Sequence, residues 1–184
     1  MINIRKADID DVITISNLGR ITFSDTFESF FNNKNDLFAY LEDTFSQKSI
    51  QNSILKAESI YWIAFYDNTP IGYAKVKLDF VSQLIIPPKA CYLDKIYVVK
   101  AFISKGIGME LHKTLMHEVT SLKYQHIWLS VLKENQKAIN FYQKNGYQAI
   151  DIYSQNIGSQ KFEFVVMGMD LGEKKGGLQT QFCL

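Results

Sequence analysis

Asn135-Gln136-Lys137-Ala138-Ile139-Asn140-Phe141-Tyr142-Gln143-Lys144-Asn145-Gly146-Tyr147 is the stretch on which the reading of this chain turns. Asn135 has the side chain of an N-cap, Ala138 and Ile139 share a face with Tyr142, Lys144 falls in the last turn, and Gly146 stands where a C′ glycine belongs. A short helix follows. Upstream, Ser104-Lys105-Gly106-Ile107-Gly108 opens another helix, about one βα unit away, so the two segments can face each other across a fold. A glycine-rich helix start offers backbone N–H groups and the positive end of a dipole to a diphosphate, and Tyr142 offers a phenolic proton nearby. Each piece alone is ordinary helix or turn building; the pair suggests a coenzyme A enzyme.

Working outward, Ile2 to Ala7 alternates as a strand, and Asp8 caps a helical stretch holding Ile9, Val12, Ile13 and Ile15. Thr22 to Phe27 follows as a separate segment, then a polar Asn32–Asn35 patch, then a helix whose face is Leu37, Tyr40, Leu41 and Phe45. A further helical stretch carries Ile50, Ile54 and Leu55. Ile60–Tyr66 and Ile71–Phe80 read as a hairpin around Asp67-Asn68-Thr69-Pro70. Pro87-Pro88 breaks the chain before a strand, Ala90 to Val99, whose faces alternate as Tyr92, Asp94, Ile96, Val98 and Leu93, Lys95, Tyr97, Val99. The glycine turn and its helix come next, then a strand at Ile127–Leu132, the Asn135 helix, and closing strands at Tyr147–Ile152 and Phe162–Met169. This order predicts a single-domain α/β sandwich over residues 1–171, with a mixed, mostly antiparallel central sheet flanked by helices. Residues 172–184 show no period that could fill a core face and are expected to form a flexible tail.

Size and composition agree. The 184 residues suffice for one sizeable core, and 47% hydrophobic with 21% charged residues is the balance of a globular protein. Twenty Lys and Arg against 19 Asp and Glu, without a long basic run, argue against nucleic acid as the main partner. The first residues lack a secretory core and no run approaches membrane-spanning length, so a soluble cytoplasmic protein with no membrane partner is expected. Cys91 and Cys183 are isolated, and His112, His117 and His126 form no ligand motif, so no metal is expected.

The glycine turn and the Asn135 stretch together resemble the two acyl-CoA-binding motifs of the GNAT superfamily of N-acetyltransferases, R/Q-x-x-G-x-G/A and N-x-x-A-x-x-F-Y-x-K-x-G-F/Y. The resemblance implies acetyl-CoA as co-substrate, with the pantetheine arm along the backbone of Ile96, Tyr97 and Val98 and the diphosphate on the amides of Ser104, Lys105, Gly106, Ile107, Gly108 and Met109. Ile103 stands where the family usually places Arg or Gln, which removes a polar side chain and leaves the amide cradle. Asn135 contacts the cofactor or simply caps its helix, and Lys144 belongs to the same motif.

Tyr142 is the implied general acid to the departing thiolate. The family's strand often carries Glu two residues before Asp94, where this chain has Tyr92; Asp94 replaces that base, or is an ordinary carboxylate, or water takes the proton. Thr22 to Phe27 resembles the acceptor side of PaiA-type polyamine N-acetyltransferases, which implies substrate contacts at Phe23, Asp25, Phe27, Glu28 and Tyr92. Phe164 departs from that branch, where an acidic residue is common. The acids Asp25, Glu28, Asp36, Glu42 and Asp43 would attract an extended polycation such as spermidine or spermine, or are surface and helix-start acids. Acetylation of another amine, and a weakly catalytic acyl-CoA sensor, are the alternatives; a homodimer is left open.

Overall fold

The computed structural model describes residues 1–56, 58–80 and 89–172. Pro87-Pro88, Cys183 and all of the expected tail except Gly172 lie outside the described residues. Seven strands, β1 (Ile2–Lys6), β2 (Ser59–Tyr66), β3 (Thr69–Lys77), β4 (Ala90–Val98), β5 (His126–Leu132), β6 (Gln148–Ile157) and β7 (Gln160–Asp170), form one sheet in the order β1-β2-β3-β4-β5-β7-β6. Among the described residues only the β4–β5 pair is parallel, so the mixed α/β sandwich is as expected. Helices α1 (Val12–Phe27), α2 (Lys34–Phe45) and α3 (Gln47–Leu55) cover one face. Helix α4 (Ile107–Ser121) covers the other, and α5 (Gln136–Lys144) follows β5.

Helix α1 begins after a capping box in which the Asp8 side chain accepts from the Asp10 amide, and Arg5 grips Asp11 with both nitrogens at 2.6 and 2.8 Å. It then runs on through Thr22–Phe27, which the sequence reading kept apart. The polar residues do not break it because their hydroxyls are satisfied inside the helix: Thr22 Oγ1 donates to the Leu18 carbonyl at 2.6 Å and Thr26 Oγ1 to the Thr22 carbonyl at 2.8 Å. Phe23 and Phe27, one turn apart, continue its apolar face. The β2–β3 hairpin turns on Asp67 and Asn68 with φ of 45° and 66°, the left-handed pair of a type I′ turn.

Two cores result. Leu111, Leu115 and Val119 of α4 pack on Ala74, Val76, Leu93 and Ile127, while Ile15, Leu18 and Ile50 pack on Tyr61, Ile63 and Tyr73. The closing strands are longer than their sequence pattern, and the turn that joins them is docked. Asp36 at the start of α2 accepts from the Ser159 amide at 2.8 Å, and a Cβ on Gly158 (φ 60°) would lie 2.2 Å from the Asp36 side chain. Only glycine fits there. The β6–β7 turn thus closes against the α1–α2 connection, helped by Gln160, which donates to the Phe30 carbonyl and accepts from the Asn32 amide.

Candidate active site

Strands β4 and β5 pair at only three positions, Ala90 with His126, Cys91 with Ile127 and Tyr92 with Trp128. Beyond Tyr92 they part, although β4 continues to Val98 and β5 to Leu132. β5 is filled on its other side by β7 along its whole length, and β4 by β3. Among the described residues, the edge of β4 from Leu93 to Val98 that faces β5 therefore has no strand partner, which leaves backbone donors and acceptors for an extended ligand.

The glycine turn stands at this opening. Ser104 (φ 66°) and Gly106 (φ 82°) are both left-handed, and Gly106 is the N-cap of α4 without a side-chain cap. The first amides of α4, at Ile107, Gly108 and Met109, precede the first intrahelical bond, which Glu110 makes to the Gly106 carbonyl. They form an anion cradle on a 15-residue helix. A Cβ on Gly108 would meet only an Ile96 methyl at 4.0 Å, so the cradle is open on its outer side and lies over β4. Ile103 is 52% exposed, and the Lys105 ammonium rests over the Phe102 ring. These residues fit a diphosphate-bearing co-substrate.

Helix α5 supplies the third wall. Asn135 Oδ1 accepts from the Ala138 amide at 3.2 Å, so the residue does cap its helix, and Lys144 is exposed in the last turn. Tyr142 is half-buried against the α4-side core, edge-on to Phe141 and Tyr147. Burial, with Tyr92 close enough to add to it, holds the Tyr142 phenol well above its ordinary value, and Tyr97 in turn feels Tyr142. Tyr142 is thus a phenol, not a phenolate, beside the point where the strands part.

The alternating faces expected for β4 do not survive. Lys75 pairs with Lys95 and Val76 with Leu93, so Asp94 is the extra residue of a β-bulge. The bulge shifts the alternation by one. Cys91, Leu93, Ile96 and Val98 all join the α4-side core, whereas Tyr92 lies on the other side with Lys95 and Tyr97. Tyr92 and Ile96 therefore do not share a face.

Asp94 is buried among three ammonium groups: Lys75 at 2.9 Å, Lys95 at 3.0 Å and Lys77 at 3.5 Å. Burial alone would raise its carboxyl, but Lys95, Lys75 and Lys77 outweigh it and hold the group well below the usual carboxylate range. A carboxylate so held has little affinity for an amine's proton. Lys75 and Lys77, which the sequence reading passed over, carried a signal all the same: two lysines on one face of a central strand, next to an Asp-Lys pair.

The acceptor-side expectations divide. Phe23 is 6% exposed and sits inside a ring cluster with Phe27, Phe31, Tyr40, Phe45 and Tyr97. It is core, a wall at most. Asp25, two residues on and so about 200° around the helix, is exposed on the opposite side. Phe27 is half-buried, and exposed Glu28 pairs with Lys34 at 3.4 Å. Tyr92 packs at a tilt against both Phe80 and Trp128, with centroids at 5.2 and 4.4 Å, and burial raises its phenol to about 12. The structure thus brings together Tyr142, Tyr92, β4 and the glycine turn, and leaves Asp25 and Glu28 exposed to solvent. Among the described residues no helix is long and apolar enough to cross a membrane.

This arrangement has relatives. A PaiA N-acetyltransferase from Thermoplasma acidophilum, solved in complex with coenzyme A, superposes with a TM-score of 0.74 at 21% identity, over 92% of this chain and 99% of that one. An uncharacterized N-acetyltransferase of Lactobacillus delbrueckii subsp. lactis is 27% identical over 79% of this chain and 82% of its own. The spermine/spermidine N(1)-acetyltransferase of Bacillus subtilis is 33% identical, but over only 46% of this chain and 56% of its own length. The model of the GNAT acetyltransferase family matches residues 23–147, from the ring cluster through the glycine turn to the end of α5, and the chain belongs to that family.

Proposed function

We propose that this GNAT N-acetyltransferase moves the acetyl group of acetyl-CoA to a primary amine by direct attack in a ternary complex, with Tyr142 as the proton donor. The observation that carries this reading is the parting of β4 and β5 beyond Tyr92 and Trp128, between the uncapped amides of α4 and the phenol of Tyr142. The open β4 edge would hold the pantetheine arm, and the Ile107–Met109 amides the diphosphate. The amine nitrogen attacks the thioester carbonyl carbon, a C–N bond forms, the C–S bond breaks, and Tyr142 Oη gives its proton to the sulfur. The amine's surplus proton leaves to water, since Asp94 is committed to its lysines.

A polyamine is the acceptor that likeness favours, through the PaiA structure and the partial match to the Bacillus subtilis enzyme. The acids expected to draw a polycation support it only in part. Asp36 is taken by Ser159, Glu42 by Arg20 at 2.6 Å and Glu28 by Lys34, which leaves exposed Asp25 and Asp43. Thiol release from acetyl-CoA over a panel of polyamines, peptides and simple amines tests the reading. Release above background with at least one amine is expected; acetyl-CoA binding without release from any of them would make the chain a sensor.

A further inference from the structure

We propose that the acceptor of this enzyme carries an oxyanion, a carboxylate or a phosphate, as well as its amine, and that the lysine cluster around Asp94 recognises that anion. The inference rests on the acetyltransferase reading and replaces the polyamine with an anionic amine. Three ammonium groups share one carboxylate, and among the described residues no second carboxylate forms an ion pair with any of them. The cluster therefore holds two positive charges more than its carboxylate offsets. Lys75 and Asp94 are each about nine-tenths buried, where unbalanced charge is costly. Burial pulls Lys75 and Lys77 below their ordinary values against the counter-pull of Asp94, while Asp94 holds Lys95 above its own.

A second observation points the same way. Tyr73 is fully buried, and its hydroxyl has no hydrogen-bond partner among the described residues, although it lies close enough to Lys95 and Asp94 to feel both. A donor without an acceptor beside surplus ammonium groups is short of an anion.

The cluster also lies in the right place. Lys77 rests over the rings of Tyr92 and Phe80 at 5.5 and 5.0 Å, and Tyr92 is the last residue of β4 to pair with β5. It occupies the face of the sheet opposite α4, the helix that carries the anion cradle. Lys77, the most exposed of the three, opens onto a hollow whose lining includes Ser49, Ser53, Ser59, Lys56 and Glu58. An anion arriving there meets Lys77 first.

The test is thiol release from acetyl-CoA with ω-amino acids and ω-aminoalkyl phosphates, each matched in length to an alkylamine and a diamine, with spermidine included. The expected result is a kcat/KM about tenfold or more higher for some anionic amine than for its matched alkylamine, carried by KM. Whether the carboxylate or the phosphate arm gives it identifies the anion. Lys77→Gln should abolish the preference and Lys77→Arg retain it, and because Lys77 is partly exposed both should fold, as a melting curve checks. Spermidine, diamines or alkylamines outperforming every anionic amine would overturn the inference and leave the acetyltransferase intact. A preference unmoved by Lys77→Gln and by Lys75→Gln would overturn its assignment to this cluster. Acetyl-CoA bound but no amine turned over would remove the transferase reading and this inference with it.

Discussion

Tyr92 and Trp128 are the last residues at which β4 and β5 face each other, and their rings lie 4.4 Å apart. Trp128 Nε1 also donates to the Phe80 carbonyl at 2.9 Å, so the tip of the wedge is pinned by three mutually packed rings and a hydrogen bond. Everything assigned to the reaction lies at or beyond this tip. The extra residue Asp94 bulges β4 just beyond this tip, and past it β5 keeps its pairing with β7 while β4 keeps its pairing with β3.

Gly108→Asp should weaken coenzyme A binding by about tenfold or more, because it sets a negative charge at the end of a helix dipole where the proposed site would hold the diphosphate. The site has room for the side chain, with only an Ile96 methyl near its Cβ, so the variant should stay folded. Calorimetric titration showing wild-type affinity in a folded variant would reject the cradle. Ile103→Arg, placing a cation at the exposed rim, should tighten binding at low salt and lose that gain as salt rises.

Asp94→Asn should destabilise the protein by about 3–5 kcal/mol, since it leaves three ammonium groups without their counter-charge. Its carboxyl is lowered in the fold, so its contribution is present above the ordinary carboxylate range and is lost only as pH falls below about 4. It does not titrate where the enzyme would work. With acceptor saturating, so that the lysines' own titration does not enter through binding, the pH dependence of kcat should therefore keep its wild-type shape; a shifted limb would restore Asp94 as a base.

His112 gives the fold an acid sensitivity. Its Nε2 lies 3.2 Å from Tyr147 Oη in the α4-side core, and burial lowers it from 6.5 to about 4. The unfolded chain takes up this proton before the folded one does. The resulting stability is complete above about pH 6.5 and is lost as pH falls towards 4, by about 3 kcal/mol at most. Denaturant titrations at pH 7 and pH 5 should show this loss, and His112→Gln should reduce it; equal pH dependence in both proteins would contradict it.

Much of this was legible in the sequence, for identifiable reasons. The Asn135 cap, the left-handed Gly106 and the Asp67-Asn68 turn are local, so their residue types announce them. What escaped was set at long range. The β4 bulge depends on the register with β3, which a period-two reading of one strand cannot contain, and so Asp94 was grouped with Ile96 rather than with Lys75 and Lys77. The docking of the turn between β6 and β7 depends on Asp36, more than a hundred residues away in the chain. Phe23 is named from the resemblance as a substrate contact, and a single sequence does not show the rings of Phe31, Tyr40, Phe45 and Tyr97 that bury it.

The most direct test of the acetyl-transfer account is steady-state thiol release by Tyr142→Phe, with coenzyme A affinity measured on the same samples. The substitution keeps the ring that packs against Tyr147 and removes only the hydroxyl. If that hydroxyl protonates the departing sulfur, kcat should fall by roughly 10²–10⁴-fold while Kd for coenzyme A stays within about twofold. Near-normal turnover in the folded variant would contradict the account and return Tyr142 to the core.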